Sequence, residues 1–501
     1  MQQTLAAPAL AVDPSAMKTP RWKLVLVVAV VLYLLALRLW FDVAVTPMGD
    51  EAYYWMWGQH LDWSYLDHPP LDGWLQGLVA AVLGWSNFSA RALTWVSTAI
   101  TLWVFWLWSA RLAPANRWGW FWQTSALYLT IPVIYLMTSA AFHDHLLIAL
   151  VVASLYCFDG FARDAEQGRV RWHMLYLAAA LLGLATLTKY NGALVGVGFA
   201  IWILFRPALR PLFSRWKLWG AALLAVAMQA PVIYWNATEG LATLRFHLGE
   251  RGAADWTHPS LLHFGSYIAG ILLLGLGPVL FVRIFWLPRV LRNSPTDGTA
   301  ALSTTVFLAS SIFWAALSFF VVVFFHWNIV AYVALAPLLY PLLGGRVSLL
   351  LHLAFGTLVG SLALLSYIVT PLSLLGLSDP SSGATYGWPD LGAAVETQEK
   401  AHPGAFLAAT RYTYAAQLGF VLHDTDIAAF NPVPSQYDLW WPAAAHDGED
   451  ALIVADKAFP ISNAAVHFAS VEKLADVPVT AQGKAVWTFE IWLGKSFSHG
   501  P

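Results

Sequence analysis

Two carboxylates stand side by side just after the first long apolar run, in Gly49-Asp50-Glu51-Ala52-Tyr53-Tyr54-Trp55. An acid–imidazole pair follows in Asp67-His68-Pro69-Pro70. Later come His143-Asp144-His145, then Thr188-Lys189-Tyr190-Asn191. A further stretch holds Arg245, His247, Glu250, Arg251, Asp255 and His258, and His326-Trp327-Asn328 comes last. Carboxylates of this kind take protons from hydroxyls. Lysine and arginine bind anions, arginine through two parallel bonds and lysine as a point charge. Each group also has a plainer reading. Asp50 and Glu51 suit the start of a helix, where the dipole favours negative charge. Asp62, Glu250 and Asp255 suit solvated loop acids, His143 and His145 suit interface anchors, and Lys189 suits a snorkelling lysine.

The elements that position these residues are membrane helices. The chain has 501 residues, of which 58% are hydrophobic and 11% charged. Soluble domains carry roughly 25% charged residues, so one large soluble core is excluded. The net charge of -2 offers no basic field for nucleic acid. The single cysteine, Cys157, sits in an apolar run and excludes a disulfide framework or a cysteine metal cluster.

A spanning helix needs about 20 apolar residues. Candidate spans are 24–41, 91–110, 118–138, 146–162, 173–188, 190–205, 218–235, 264–282, 303–325, 328–344 and 348–372, about eleven in all. Residues 1–23 read as a disordered cytoplasmic N-terminus and 24–375 as the membrane domain. With the N-terminus in the cytoplasm, the inner segments hold Lys18, Arg21, Lys23, Arg111, Arg117, Arg163, Arg169, Arg171, Arg206, Arg210, Arg215, Lys217, Arg283, Arg289, Arg292 and Arg346. The outer loops hold Arg91, Lys189, Arg245 and Arg251, and Arg38 reads as snorkelling from the first helix. The odd span count places 376–501 outside the membrane.

The first outer loop, 42–90, reads as a shelf with two interfacial helices, at 52–61 and 71–85. Residues 376–501 follow a breaker-rich linker, 378–383, and read as a small α/β soluble domain. Its expected features are a helix capped by Asp390 and running through His402, and strands at 405–410, 451–455 and 485–493. The aromatic segment 435–441 suits either ordinary packing or contact with the membrane domain. Ionisable groups at membrane depth cost ~2.5–3.5 kcal/mol at a helix centre. Their recurrence in several loops on one side implies one shared polar site. A secondary transporter is the competing reading, but no internal repeat is visible and the charges gather at one surface.

The chain resembles the bacterial members of the protein O-mannosyltransferase superfamily with the GT-C fold, which include transferases that put aminoarabinose on lipid A or galacturonate on lipopolysaccharide core. The likeness runs over about 24–345 and is carried by the Asp-Glu-Ala-x-Tyr motif at Asp50 to Tyr54. Further matches are Asp67-His68-Pro69-Pro70, Asp144, Thr188-Lys189, His247 and Arg251, with His68 where relatives have lysine.

The resemblance implies an inner-membrane glycosyltransferase that moves a sugar, with inversion, from a polyprenyl-phosphate-sugar donor to a hydroxyl of lipid A, lipopolysaccharide, another glycan or protein. It makes Asp50 the base, with Glu51 orienting it or binding sugar. It assigns Tyr54, His68, Asp144, Lys189 and Arg251 to donor phosphate or sugar. It also places a possible zinc or manganese ion at Asp67 and His247, since carboxylate plus imidazole suits either metal. If His68 meets the phosphate, activity falls as the pH rises past the imidazole pKa, ordinarily about 6.5. A His68→Lys enzyme then shows a flatter pH–rate profile, and an unchanged profile contradicts the role.

Overall fold

The computed structural model describes residues 19–250, 256–293, 298–376 and 383–500. The chain is a multi-pass membrane protein. Its first helix, α1 (Arg21–Ala44), starts just after Pro20, whose carbonyl accepts from Lys23 N and Leu24 N. Val27, Val31, Leu34 and Phe41 fall on one stripe and are fully buried, while Val25, Leu32 and Leu39 face outward.

Among the described residues, five helices are long and apolar enough to cross a membrane: Arg21–Ala44, Asn87–Leu112, Asp144–Glu166, Gly298–Leu317 and Arg346–Ile368. Three bent pairs raise the number to as many as eight. The bends of 44°, 111° and 59° fall where proline removes a helical N–H, at Pro231, Pro278 and Pro337. The expected spans 173–188 and 190–205 correspond to short apolar helices, Trp172–Thr188 and Tyr190–Phe205. The run 118–138 is cut at Thr130-Ile131 into Arg117–Leu129 and Pro132–Ser139. Among the described residues the long helices and bent pairs thus account for up to eight spans, with the shorter apolar helices standing beside them.

Polar side chains divide between the two ends of the bundle. At the end where α1 begins, Lys23 Nζ donates to Gly344 O at 2.7 Å and Arg283 Nε to Leu342 O at 2.9 Å. Arg111 pairs with Asp159 at 2.6 Å and Arg206 with Glu166 at 2.6 Å. The candidate site residues lie at the other end. Arg38 departs from expectation. It is 1% exposed and donates to Thr98 Oγ1 at 2.6 Å and Thr94 Oγ1 at 2.5 Å. Hydroxyls on the neighbouring helix meet its guanidinium, so it does not reach out to an interface.

The outer loop forms two helices, α2 (Gly49–Gln59) and α3 (Leu71–Leu83). In α3 the polar face is inward, with Asp72 and Gln76 buried, while Leu78, Val82 and Leu83 are exposed. That inversion suits a helix lying against lipid. By contrast α2 is not a surface helix, because Glu51 through Gly58 are all buried. Its backbone meets α3 at Gly58, where a Cβ would come within 2.4 Å of Gly77 N.

The C-terminal domain carries a five-stranded sheet in the order β2-β1-β3-β5-β4. The strands are β1 (Phe406–Ala409), β2 (Ile427–Ala429), β3 (Ala451–Asp456), β4 (Phe468–Ala481) and β5 (Lys484–Phe497). β1 pairs in parallel with β2 and β3, and β5 runs antiparallel to β3 and β4. The β4–β5 hairpin turns at Gln482-Gly483, both at positive φ, as a two-residue type I′ turn requires. β1, β3 and β5 fall at the expected runs. β2 is three residues long, and β4 carries charges and Pro478 along the sheet edge, so neither stands out in the sequence. The expected helix runs Trp388–Ala401, with Gly387 at φ 80° as its N-cap. Asp390 sits inside its first turn and does not cap it.

This domain grips α2. Gln417 Nε2 donates to Pro47 O at 3.0 Å, and Gln436 N donates to Tyr53 Oη at 2.9 Å. Leu66 N donates to Gln436 Oε1 at 2.8 Å, and Trp440 stacks on His60 at 4.4 Å. Segment 435–441 therefore does rest on the membrane domain. A Cβ at Gly49 would lie 2.7 Å from Thr413 Cβ, so the two backbones meet there with no room for a side chain. Gly49→Val is expected to undock the domain. Limited proteolysis should then release residues beyond 383 several times faster than from the wild type, and an unchanged rate contradicts the contact.

Candidate active site

The site is built on the first turn of α2. Glu51 reaches back to accept from Met48 N at 2.9 Å, as a third helical residue does in a capping box. Its other contacts come from far in sequence. Arg91 donates through Nε to Oε1 at 2.8 Å and through Nη2 to Oε2 at 2.5 Å, and Ala141 N donates to Oε1 at 2.7 Å. Arg91 also donates to Val45 O at 2.6 Å and lies 4.2 Å above the Phe41 ring. Both side chains are fully buried. Each Glu51 oxygen thus accepts two donors inside the protein.

The next residue back behaves oppositely. Successive helical residues point about 100° apart, so burying Glu51 turns Asp50 outward, where it is exposed. Tyr412 Oη, from the C-terminal domain, donates to Asp50 Oδ1 at 3.2 Å. Burial pushes the Tyr412 hydroxyl well above the usual tyrosine range, and the charges of Asp50 and Asp67 push it further. Burial and then Asp67 raise Tyr53 likewise. Asp50, Asp67, Tyr53 and Tyr412 therefore share one neighbourhood, and Tyr412 stays a donor at any working pH.

Tyr54 is one turn on from Asp50 and shares its helix face. Its ring lies 3.9 Å from that of His143, which is 4.7 Å from His68. Beneath them sits Asp72, fully buried, 3.1 Å from His143 Nδ1 and 3.6 Å from His145 Nε2. His145 Nδ1 is 2.9 Å from Ser97 Oγ. His143 and His145 are thus not interface anchors, since both are buried around one carboxylate. The sequence reading missed Asp72. Its one signal was an acid inside the apolar run 71–85. It also missed Tyr412, because nothing local marks a tyrosine whose partner is 362 residues away.

Asp144 and Lys189 meet as their order implied, with Nζ donating to Oδ1 at 2.9 Å and Oδ2 at 2.8 Å. Lys189 is therefore a buried tie between helices and does not snorkel. Asp62 is no free loop acid either, since Trp235 Nε1 donates to its Oδ2 at 2.8 Å. Asp67 and His247 come together through the Asp67 backbone. His247 Nε2 lies 2.9 Å from the peptide carbonyl of Asp67, which can only accept, so the imidazole nitrogen there carries a proton. Among the described residues no three His, Cys, Asp or Glu side chains converge for a metal. Arg251 and Asp255 lie outside the described residues.

This arrangement of a membrane bundle, an outer acidic loop helix and a docked α/β domain has known counterparts. Residues 67–235 match the dolichyl-phosphate-mannose-protein mannosyltransferase family. That match is confined to residues 67–235, and the chain as a whole shares its fold with solved glycosyltransferase structures. The chain is 27% identical over 261 residues to lipid A galacturonosyltransferase RgtD of Rhizobium johnstonii, and the match spans half of each protein. It superimposes on ArnT of Cupriavidus metallidurans bound to undecaprenyl phosphate with a TM-score of 0.62 at 16% identity, covering 95% of this chain and 98% of that one. It also superimposes on oligosaccharyltransferase AglB of Archaeoglobus fulgidus, in complex with a peptide and dolichol-phosphate, with a TM-score of 0.50 at 14% identity. That match covers 87% of this chain and 69% of AglB.

Removing one partner of a fully buried ion pair costs about 3–5 kcal/mol, because the other charge is left without compensation. Arg91→Met should accordingly lower the thermal unfolding midpoint in detergent sharply. The double variant Glu51→Leu with Arg91→Met should recover part of the loss. A single variant as stable as the wild type contradicts the anchoring role.

Proposed function

We propose that this protein is a glycosyltransferase of the inner membrane. It moves a sugar from a polyprenyl-phosphate-sugar donor to a hydroxyl of lipid A or a related glycolipid on the extracytoplasmic side. The carrying observation is the outward-facing Asp50 beside the buried Glu51–Arg91 pair. It sits at the bundle end opposite the basic turns, in a fold that aligns with ArnT over 95% of the chain. The positive-inside rule puts the basic end in the cytoplasm and the Asp50 end outside. On that orientation the N-terminus is cytoplasmic and the C-terminal domain extracytoplasmic.

In this reading Asp50 takes the proton of the acceptor hydroxyl as its oxygen bonds to the anomeric carbon. The bond from that carbon to the phosphate oxygen breaks on the opposite face, and its electron pair leaves with the lipid phosphate. The anomeric centre is thereby inverted. Tyr54 and His68 line the same side of α2 and suit contact with the donor head group. Arg251 supplies a cation from the fourth outer loop. Lys189 has two hydrogen bonds committed to Asp144, so it acts on phosphate through the field of that pair. Polyprenyl phosphate occupies ArnT, and lipid A is the acceptor named for RgtD. Both support these substrates here. A transporter needs its polar groups along a midplane path, whereas the groups described above gather at the bundle ends.

The test uses purified protein with a panel of undecaprenyl-phosphate sugars and lipid A, read by mass spectrometry. Asp50→Asn is expected to retain folding and donor binding and to lose about 10²–10⁴-fold in transfer rate. Near-normal turnover in that variant removes Asp50 from the mechanism.

A further inference from the structure

The C-terminal domain has been described so far as a body docked on α2, yet it reaches further than packing requires. Tyr412 opens the helix Tyr412–Leu422 immediately after strand β1. Its ring packs on Tyr53 at 4.7 Å, and its hydroxyl extends past that contact to Asp50 Oδ1 at 3.2 Å. The neighbouring contacts fix this position from both sides. Thr413 is pressed against Gly49, leaving no space for a Cβ, and Tyr412 N donates to Asn431 Oδ1 at 3.2 Å. The hydroxyl of a domain far along the chain is thus brought to the exposed carboxylate on the first turn of α2.

The surrounding charges leave that hydroxyl a clear role. From the C-terminal domain, Arg411 lies 5.8 Å from the Tyr412 ring and closer, 4.1 Å, to the ring of Phe459. From α2, Glu51 is neutralised by Arg91. From the outer loop, Asp67 adds negative charge to the same neighbourhood. A second carboxylate nearby favours the protonated form of Asp50, and a proton there would disable it as a base. A hydroxyl donating to Asp50 opposes this, because a hydrogen bond to the charged form stabilises that form.

We propose that the C-terminal domain is a working part of the catalytic site, with Tyr412 as a positioning residue whose hydroxyl keeps Asp50 ionised and oriented toward the acceptor. This rests on the reading of Asp50 as the base.

The experiment needs no turnover. Dicyclohexylcarbodiimide labels protonated carboxyl groups, so labelling of the Asp50 peptide against pH, read by mass spectrometry on the full-length protein, gives the midpoint of its ionisation. Tyr412→Phe keeps the ring packing and removes only the hydroxyl. It is expected to move the midpoint up by about 0.5–1 pH unit. Gln417→Ala loses an interdomain hydrogen bond without touching Asp50 and is expected to leave the midpoint in place. An unmoved midpoint in Tyr412→Phe overturns the proposal. An equal shift in Gln417→Ala also overturns it, by assigning the effect to docking. A fully active Asp50→Asn enzyme would instead remove the base reading itself, and the labelling result distinguishes the two failures.

Discussion

The buried pair between Glu51 and Arg91 holds the functional end of this molecule together. It joins the end of α1, the start of α2, the start of the helix Asn87–Leu112 and the turn at Ala141, with every carboxylate oxygen satisfied. Such a pair gains little net energy over an apolar substitute, but it tolerates no other arrangement of its partners. Its consequence is geometric. With Glu51 fixed inward, helix periodicity turns Asp50 to the open face, with Tyr54 buried one turn on along the same side.

Around that anchor the structure separates two kinds of polar group. The Asp144–Lys189 pair and the Asp72 cluster bring charged side chains from separate helices together at the depth where an unpaired charge is costly. Asp50 and Asp67 stay more open, beneath the C-terminal domain. A group-transfer site needs both kinds, a rigid charged frame and a few side chains left to meet the substrate. α3 turns its apolar face outward beside them, which suits an approach for a lipid-borne substrate from the bilayer.

Much of this was legible in the sequence, for definable reasons. The long apolar runs and the bias of basic turns gave the helices and the two ends, because hydrophobicity and charge act locally. The Asp50–Glu51 motif was visible too, and its helix-start reading proved true of the structure. Which of the two acids is buried was not visible, because only a contact with Arg91, forty residues away, decides it. The spans at 218–235, 264–282 and 328–344 are bent at prolines, and those at 173–188 and 190–205 are short apolar helices, neither of which hydropathy alone reveals. Tyr412 and Asp72 were missed for one shared reason: their significance lies in tertiary partners. Asp67 meets His247 through its backbone carbonyl, a contact no spacing reveals.

The account places the carrier-lipid head group at the Asp50 end of the bundle, and a structure of the protein with bound undecaprenyl phosphate tests that most directly. The account predicts phosphate density within hydrogen-bonding reach of the side chains around Tyr54 and His68, with the Asp50 carboxylate facing the space beside it. Phosphate bound instead among Arg111, Asp159 and Arg163 at the opposite end would contradict it.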